Sequence, residues 1–194
     1  MSTQLACIVE GQGDLEAVPI LLRRIYQELF PGKAIQIHPF RIPRTRLLKD
    51  GELERAVELA ARRVGRGAGI LILLDSDDDC PAVLGPSLLA RVARTRSDVS
   101  VRVVLAHREF ESWFLAGAES LRGRRGLQPD LVRPENPESI RGAKEWLTAR
   151  MPGGRHYVET LDQPALAAVL DLAAARRADS FDKLWRDLSW LLKV

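Results

Sequence analysis

A chain of 194 residues that is 46% hydrophobic and 28% charged has the composition of a soluble globular protein and is long enough for one substantial core. Its formal charge of +3 admits an acidic partner such as nucleic acid without demanding one. No apolar run nears the ~20 residues that span a bilayer, the N-terminus lacks a signal-peptide layout, and Cys7 and Cys80 form no zinc pattern, so a cytoplasmic protein independent of membranes is expected.

The first predicted element is a buried strand over residues 4–9, too continuously apolar for a half-exposed one. A helix follows from Asp14, with Leu15, Val18, Leu22, Ile25 and Leu29 at helical spacing, and Pro31-Gly32 stops it. Ala34 to His38 reads as a second strand closed by Pro39, and Pro39 to Gly51, which has no period, as a basic loop. A second helix is expected from Glu52 to Arg66 on a stripe of Leu53, Val57, Ala60 and Val64, followed by an all-aliphatic strand over 70–74 that should be central. Pro81 and Pro86 bracket an expected irregular segment, and Ser87 to Arg96 a helix. A fourth strand covers 99–106, and a helix carrying Phe110, Trp113 and Phe114 covers 109–118.

Strands alternating with helices in this way predict an α/β fold, a Rossmann-like and mostly parallel sheet of about four strands with helices on both faces. Past residue 120 the pattern changes. Residues 122–137 read as a loop, and three helices are expected at 138–150, 162–177 and 180–192. We expect a core over 1–120 and, over 121–194, a helical extension packed on it within a single domain.

The acidic groups fall just after strands. The first strand runs into Glu10-Gly11-Gln12-Gly13-Asp14, the third into Asp75-Ser76-Asp77-Asp78-Asp79, and the fourth into His107-Arg108-Glu109-Phe110-Glu111. Parallel strands would bring all three to the sheet edge where open α/β folds place ligands. Carboxylates gathered there need protons or a cation, and oxygen donors favour a hard ion, Mg2+ or Mn2+. Asp14, Glu109 and Glu111 can also be read as acidic residues at helix N-termini; the aspartate run is less easily read as a solvated loop, because four carboxylates in five residues repel one another without a counter-ion. His107, beside this edge, is a candidate to hydrogen-bond there or contact a phosphate. Three arginine-rich clusters, around Arg44, Arg94 and Arg124, are candidates for a nucleic-acid backbone or simply solvated faces. The tryptophans, at helical spacing, read as core. The Gly11-Gln12-Gly13 turn lacks the lysine and the further glycines of nucleotide-binding motifs.

Glu10-Gly11 after the first strand and Asp75-Ser76-Asp77 after the third resemble the Toprim superfamily of topoisomerases, primases and nucleases. Within it the chain is most similar to a small stand-alone bacterial group, a domain of unknown function related to the overcoming-lysogenization-defect nucleases. That group pairs Val-Glu-Gly-Gln, Glu-x-Glu-x-Trp and Ser-Phe segments, here Val9-Glu10-Gly11-Gln12, Glu109-Phe110-Glu111-Ser112-Trp113 and Ser180-Phe181. The resemblance implies Mg2+ or Mn2+ on Glu10, Asp75 and Asp77, with Asp14, Glu109 and Glu111 as second-metal or general-base groups. Lys144 stands at a catalytic Pro-Lys position of the group, although Ala143 replaces the proline. The activity implied is metal-dependent hydrolysis of nucleic acid, in defence or repair. One alternative is an accessory subunit that works only with an ATPase partner. A weaker one is aspartate-based phosphotransfer through Asp75, disfavoured because such folds place the key aspartate after the first strand.

Overall fold

The computed structural model describes residues 3–65 and 67–192. Four strands, β1 (Thr3–Val9), β2 (Ile35–Arg41), β3 (Gly69–Asp75) and β4 (Ser100–Ala106), form one all-parallel sheet in the order β2-β1-β3-β4. Helix α1 (Asp14–Leu29) leads outward from β1 to β2. After the single turn α2 (Arg44–Leu47), α3 (Glu52–Val64) returns past β1 to β3, and α4 (Pro81–Thr95) continues to β4. Right-handed connections that reverse direction in this way put α1 on one face and α3 with α4 on the other.

Alternation along the strands divides the core accordingly. Leu5, Cys7, Val9, Leu71, Leu73, Val104 and Ala106 pack against Val18, Leu21, Leu22 and Ile25 of α1. Ala6, Ile8, Ile70, Ile72, Leu74, Val101, Val103 and Leu105 pack against Leu53, Val57 and Ala60 of α3 and Leu88 and Val92 of α4. Both faces of β1 and β3 are therefore buried, which is why neither alternates in polarity.

The rest of the chain adds α5 (Ser112–Ala116), α6 (Ala143–Thr148), α7 (Glu159–Ala167), α8 (Leu172–Ala175) and α9 (Asp179–Leu191), with short three-ten turns between. Leu147, Leu166, Leu170, Phe181, Leu184 and Leu188 enter the apolar cluster that covers the α1 face. Among the described residues no helix is long and apolar enough to cross a membrane.

Several elements depart from the sequence expectation. Strand β2 runs through Pro39 to Arg41. It is an edge strand paired only with β1, where a missing N–H on the open side costs nothing. Helix α4 begins at Pro81, since proline at the first helical position lacks an N–H that the helix would not use, and it carries Pro86 inside. The helix expected over 109–118 shrinks to α5 because Glu109 to Glu111 form a turn, and that expected over 138–150 shrinks to α6 behind a three-ten turn at Pro137–Ser139. The helix expected over 162–177 divides into α7 and α8, where the Asp171 side chain accepts a hydrogen bond from Ala174 N–H and starts a new helix. Helix α3 ends at Val64; Arg66, the expected end, lies outside the described residues.

Candidate functional site

In the strand order 2-1-3-4 the connections leave β1 and β3 in opposite directions, and the crevice between their C-terminal ends is where doubly wound sheets bind ligands. Glu10 follows β1 and Asp75 ends β3. The Asp75 N–H donates to Glu10 Oε1 at 3.0 Å, and Asp75 Oδ1 accepts from Phe110 N–H at 2.8 Å, so three neighbouring strand ends are tied together. A cavity of about 390 Å³ opens over this crevice, lined by Glu10, Asp14, Asp75, Asp77, Glu111 and Lys144, and also by Arg44, Glu159 and Gln163.

The far wall comes from α7, nearly 150 residues from β1 in sequence. Glu159 Oε1 accepts from Gly13 N–H at 3.2 Å, and Gln163 Nε2 donates to Asp14 Oδ1 at 2.8 Å. Asp14 in turn accepts from Gly11 N–H at 2.8 Å. Helix α7 approaches so closely that a Cβ on Gly13 would lie 2.1 Å from Gln163 Oε1, and one on Gly11 2.8 Å from Glu159 Oε1. The glycines are thus required by contact with α7.

Glu111 is fully buried. Its Oε1 accepts from the Tyr157 hydroxyl at 2.9 Å, while Oε2 has no hydrogen-bond partner and lies 3.9 Å from Lys144 Nζ. Lys144 Nζ also reaches Glu159 Oε2 at 3.1 Å. Burial pushes the Glu111 carboxyl up to about 8 against the pull of Lys144 and Tyr157. Burial likewise raises Asp75 well above the ordinary carboxylate range, with repulsion from Glu111 and Glu10 adding to it. Glu10 and Asp14 are raised by burial too. Burial opposes the Lys144 ammonium, but Glu111 and Glu159 more than offset it and raise its pKa.

Of the residues singled out in the sequence, Glu10, Asp14, Asp75, Asp77, Glu111 and Lys144 all border the cavity. Asp77 is 61% exposed and paired with Arg44 at 3.3 Å. Glu109 turns away; its Oε1 accepts from Ala143 N–H at 3.1 Å, ahead of α6. His107 borders a different groove, between α4 and α9. Arg91 and Arg96, in the second arginine cluster, are engaged by Glu54, Glu58 and Asp98, and in the third Arg125 is engaged by Asp162. Trp113 is core, but Trp190 is 49% exposed beneath the Arg102 guanidinium. Arg44 was marked only as part of a basic cluster, and Tyr157, Glu159 and Gln163 were not singled out. Nothing local marks the latter three, which reach the site only through the return of the chain.

Among the described residues no group of three or more His, Cys, Asp or Glu side chains is arranged to hold a metal ion. The donors nonetheless suit Mg2+, which keeps several waters and is commonly held by one or two carboxylates together with a substrate phosphate. Glu111 Oε2, buried without a hydrogen-bond partner beside other carboxylates, is the kind of atom that a cation or proton satisfies.

Residues 9–189 match the family described as Domain of unknown function (DUF4276), and the chain belongs to that family. No curated protein and no solved structure matches it.

Proposed function

We propose that the chain is a Mg2+- or Mn2+-dependent phosphodiesterase that hydrolyses nucleic acid, similar in plan to the Toprim nucleases. The observation that carries this reading is the meeting of Glu10, Asp75 and Glu111, from three neighbouring strand ends, around one cavity faced by Lys144. Glu10 and Asp75 would hold the ion, which when bound polarises a phosphoryl oxygen and acidifies water. Glu111, whose Oε2 is free of hydrogen bonds, would, once ionised, take the proton of an attacking water. Lys144, with Glu111 and Glu159 as counter-charges, sets a positive group where phosphate charge would build up. Cys7 and Cys80 are both free thiols, which agrees with a reducing cytoplasm.

The test is cleavage of single- and double-stranded DNA and RNA with Mg2+ or Mn2+. The wild-type protein should cut, while Asp75→Asn purified in the same way, or wild type in chelator, should not; equal cleavage by Asp75→Asn would refute the reading. A second reading, an accessory subunit acting with an ATPase partner, draws on the lack of a ready three-ligand group among the described residues. Metal binding without cleavage by the isolated chain would favour it.

A further inference from the structure

Beside the cavity, three arginines from separate parts of the chain converge on one loop, Asp77-Asp78-Asp79. Arg44 of α2 pairs with both Asp77 and Asp79. Arg108, in the turn after β4, and Arg141, before α6, both pair with Asp78, at 3.4 and 2.6 Å. Two of the arginines, Arg44 and Arg108, are constrained, while Arg141 and the aspartates lie open to solvent. Arg44 and Arg108 are 17% and 24% exposed, against 61%, 74% and 55% for Asp77, Asp78 and Asp79. Arg44 Nε and Arg108 Nε are buried without hydrogen-bond partners, so neither guanidinium is fully satisfied by the loop.

The backbone fixes this arrangement. Ser76 N–H donates to Ala106 O and Asp77 N–H to Arg108 O, which carries pairing between the two segments beyond the sheet. Arg108 N–H donates to the buried Ser76 hydroxyl at 2.8 Å. Asp77 and Arg108 both have positive φ, +49° and +64°. Aspartate tolerates that region, but arginine gains nothing local from it, and such strain collects where a side chain must be aimed.

We propose that Arg44, Arg108 and Arg141 form the phosphate-binding surface for the nucleic-acid strand entering the cavity, and that Asp77 to Asp79 occupy it in the free protein as an internal polyanion. Guanidinium forks suit phosphate oxygens at least as well as carboxylates. An incoming strand exchanges phosphates for loop aspartates, and the displaced loop offers no advantage to an isolated small anion that could engage only one fork. Asp77, Asp78 and Asp79 thereby set a threshold that a strand passes and a lone phosphate does not. The phosphodiester reading of the cavity supplies the identity of the anion, so the proposal rests on it; binding is measured in chelator, where absence of cleavage cannot be mistaken for absence of binding.

The experiment is fluorescence anisotropy of a labelled single-stranded oligonucleotide with wild type, Asp78→Asn, Arg141→Ala and the double variant. Asp130→Asn, at an exposed loop carboxylate with no ion pair among the described residues, reproduces the change in net charge. Asp78→Asn should bind about three- to fivefold more tightly than Asp130→Asn, the scale of an exposed ion pair. Arg141→Ala should bind more weakly, with a salt slope shallower by about 1, and should diminish the gain from Asp78→Asn. Equal affinities for Asp78→Asn and Asp130→Asn, or a gain undiminished by Arg141→Ala, would overturn the proposal. Arg141 is 70% exposed, so its truncation should leave the fold intact, as melting curves would confirm. A variant set that behaves as expected in a protein that never cleaves would keep the binding surface and remove the nuclease reading.

Discussion

Glu111 has one oxygen on the Tyr157 hydroxyl and the other without a hydrogen bond, so it holds a proton more tightly in the folded chain than in the unfolded one. An acid whose pKa rises on folding stabilises the fold below its ordinary value, 4.5 here, and that contribution is lost as pH rises through about 8. Asp75, Glu10 and Asp14 shift in the same direction. Without divalent ions the melting temperature should therefore fall between about pH 5 and 8, and Glu111→Gln, which keeps the shape and removes the charge, should flatten that fall. Thermal melts of both proteins in chelator across this range provide the check. Parallel curves would mean that Glu111 is ionised throughout. A strand followed by Glu-Phe-Glu shows in sequence where Glu111 stands, but not that it is buried while Glu109 is spent on the Ala143 N–H. That division depends on which way the turn before α5 faces.

Helix α7 supplies the far wall of the cavity, and its first turn lies ahead of the helix expected over 162–177. Its start is fixed by Asp162, fully buried, which accepts from Val158 N–H and from both Arg125 and Arg155. Asp162→Ala should cost about 1–3 kcal/mol, chiefly from the unsatisfied N–H and lost charged hydrogen bonds, since the two arginines can turn to water. Denaturant unfolding measures it, and a loss within error of zero would show that Asp162 is dispensable. Where α7 meets the β1–α1 turn, Gly13→Ala should cost about 1–3 kcal/mol by overpacking. Its φ of −64° is ordinary, so the penalty is steric and should shrink when Gln163 is shortened to Ala in the same chain. A penalty independent of Gln163 would contradict the contact. The strands and α1 were legible because their apolar spacing is local. The start of α4 was not, because Pro81 reads as a breaker until it is placed at the first turn. Glu159 and Gln163 carry no spacing signal at all, because tertiary packing alone brings them to Gly11 and Gly13.

At the scale of the whole molecule, β1 and β3 are buried on both faces and held by two apolar clusters, while their C-terminal ends carry raised, mutually repelling carboxylates. The parallel sheet, and with it a common edge for Glu10 and Asp75, follows from βα alternation that the sequence displays; the strand order and the pairing of Arg44, Arg108 and Arg141 with the aspartate loop do not, since distant segments must first fold. The sheet thus brings like charges together at its C-terminal edge, and an ion bound only there would relieve that repulsion in the folded state alone. By mass action an ion at 100 times its dissociation constant adds about 2.7 kcal/mol. For a domain of this size that is a rise in melting temperature on the order of 5–10 °C. Mg2+ or Mn2+ should produce more of it near pH 8 than near pH 5, because protons compete for the raised carboxylates more strongly at the lower pH. Asp75→Asn and Glu10→Gln should abolish the rise while Glu109→Gln retains it, because Glu109 lies outside the cavity. A rise that survives loss of both Asp75 and Glu10 would place the ion elsewhere, and no rise at millimolar metal would leave Lys144, Arg44 and protons to balance the site.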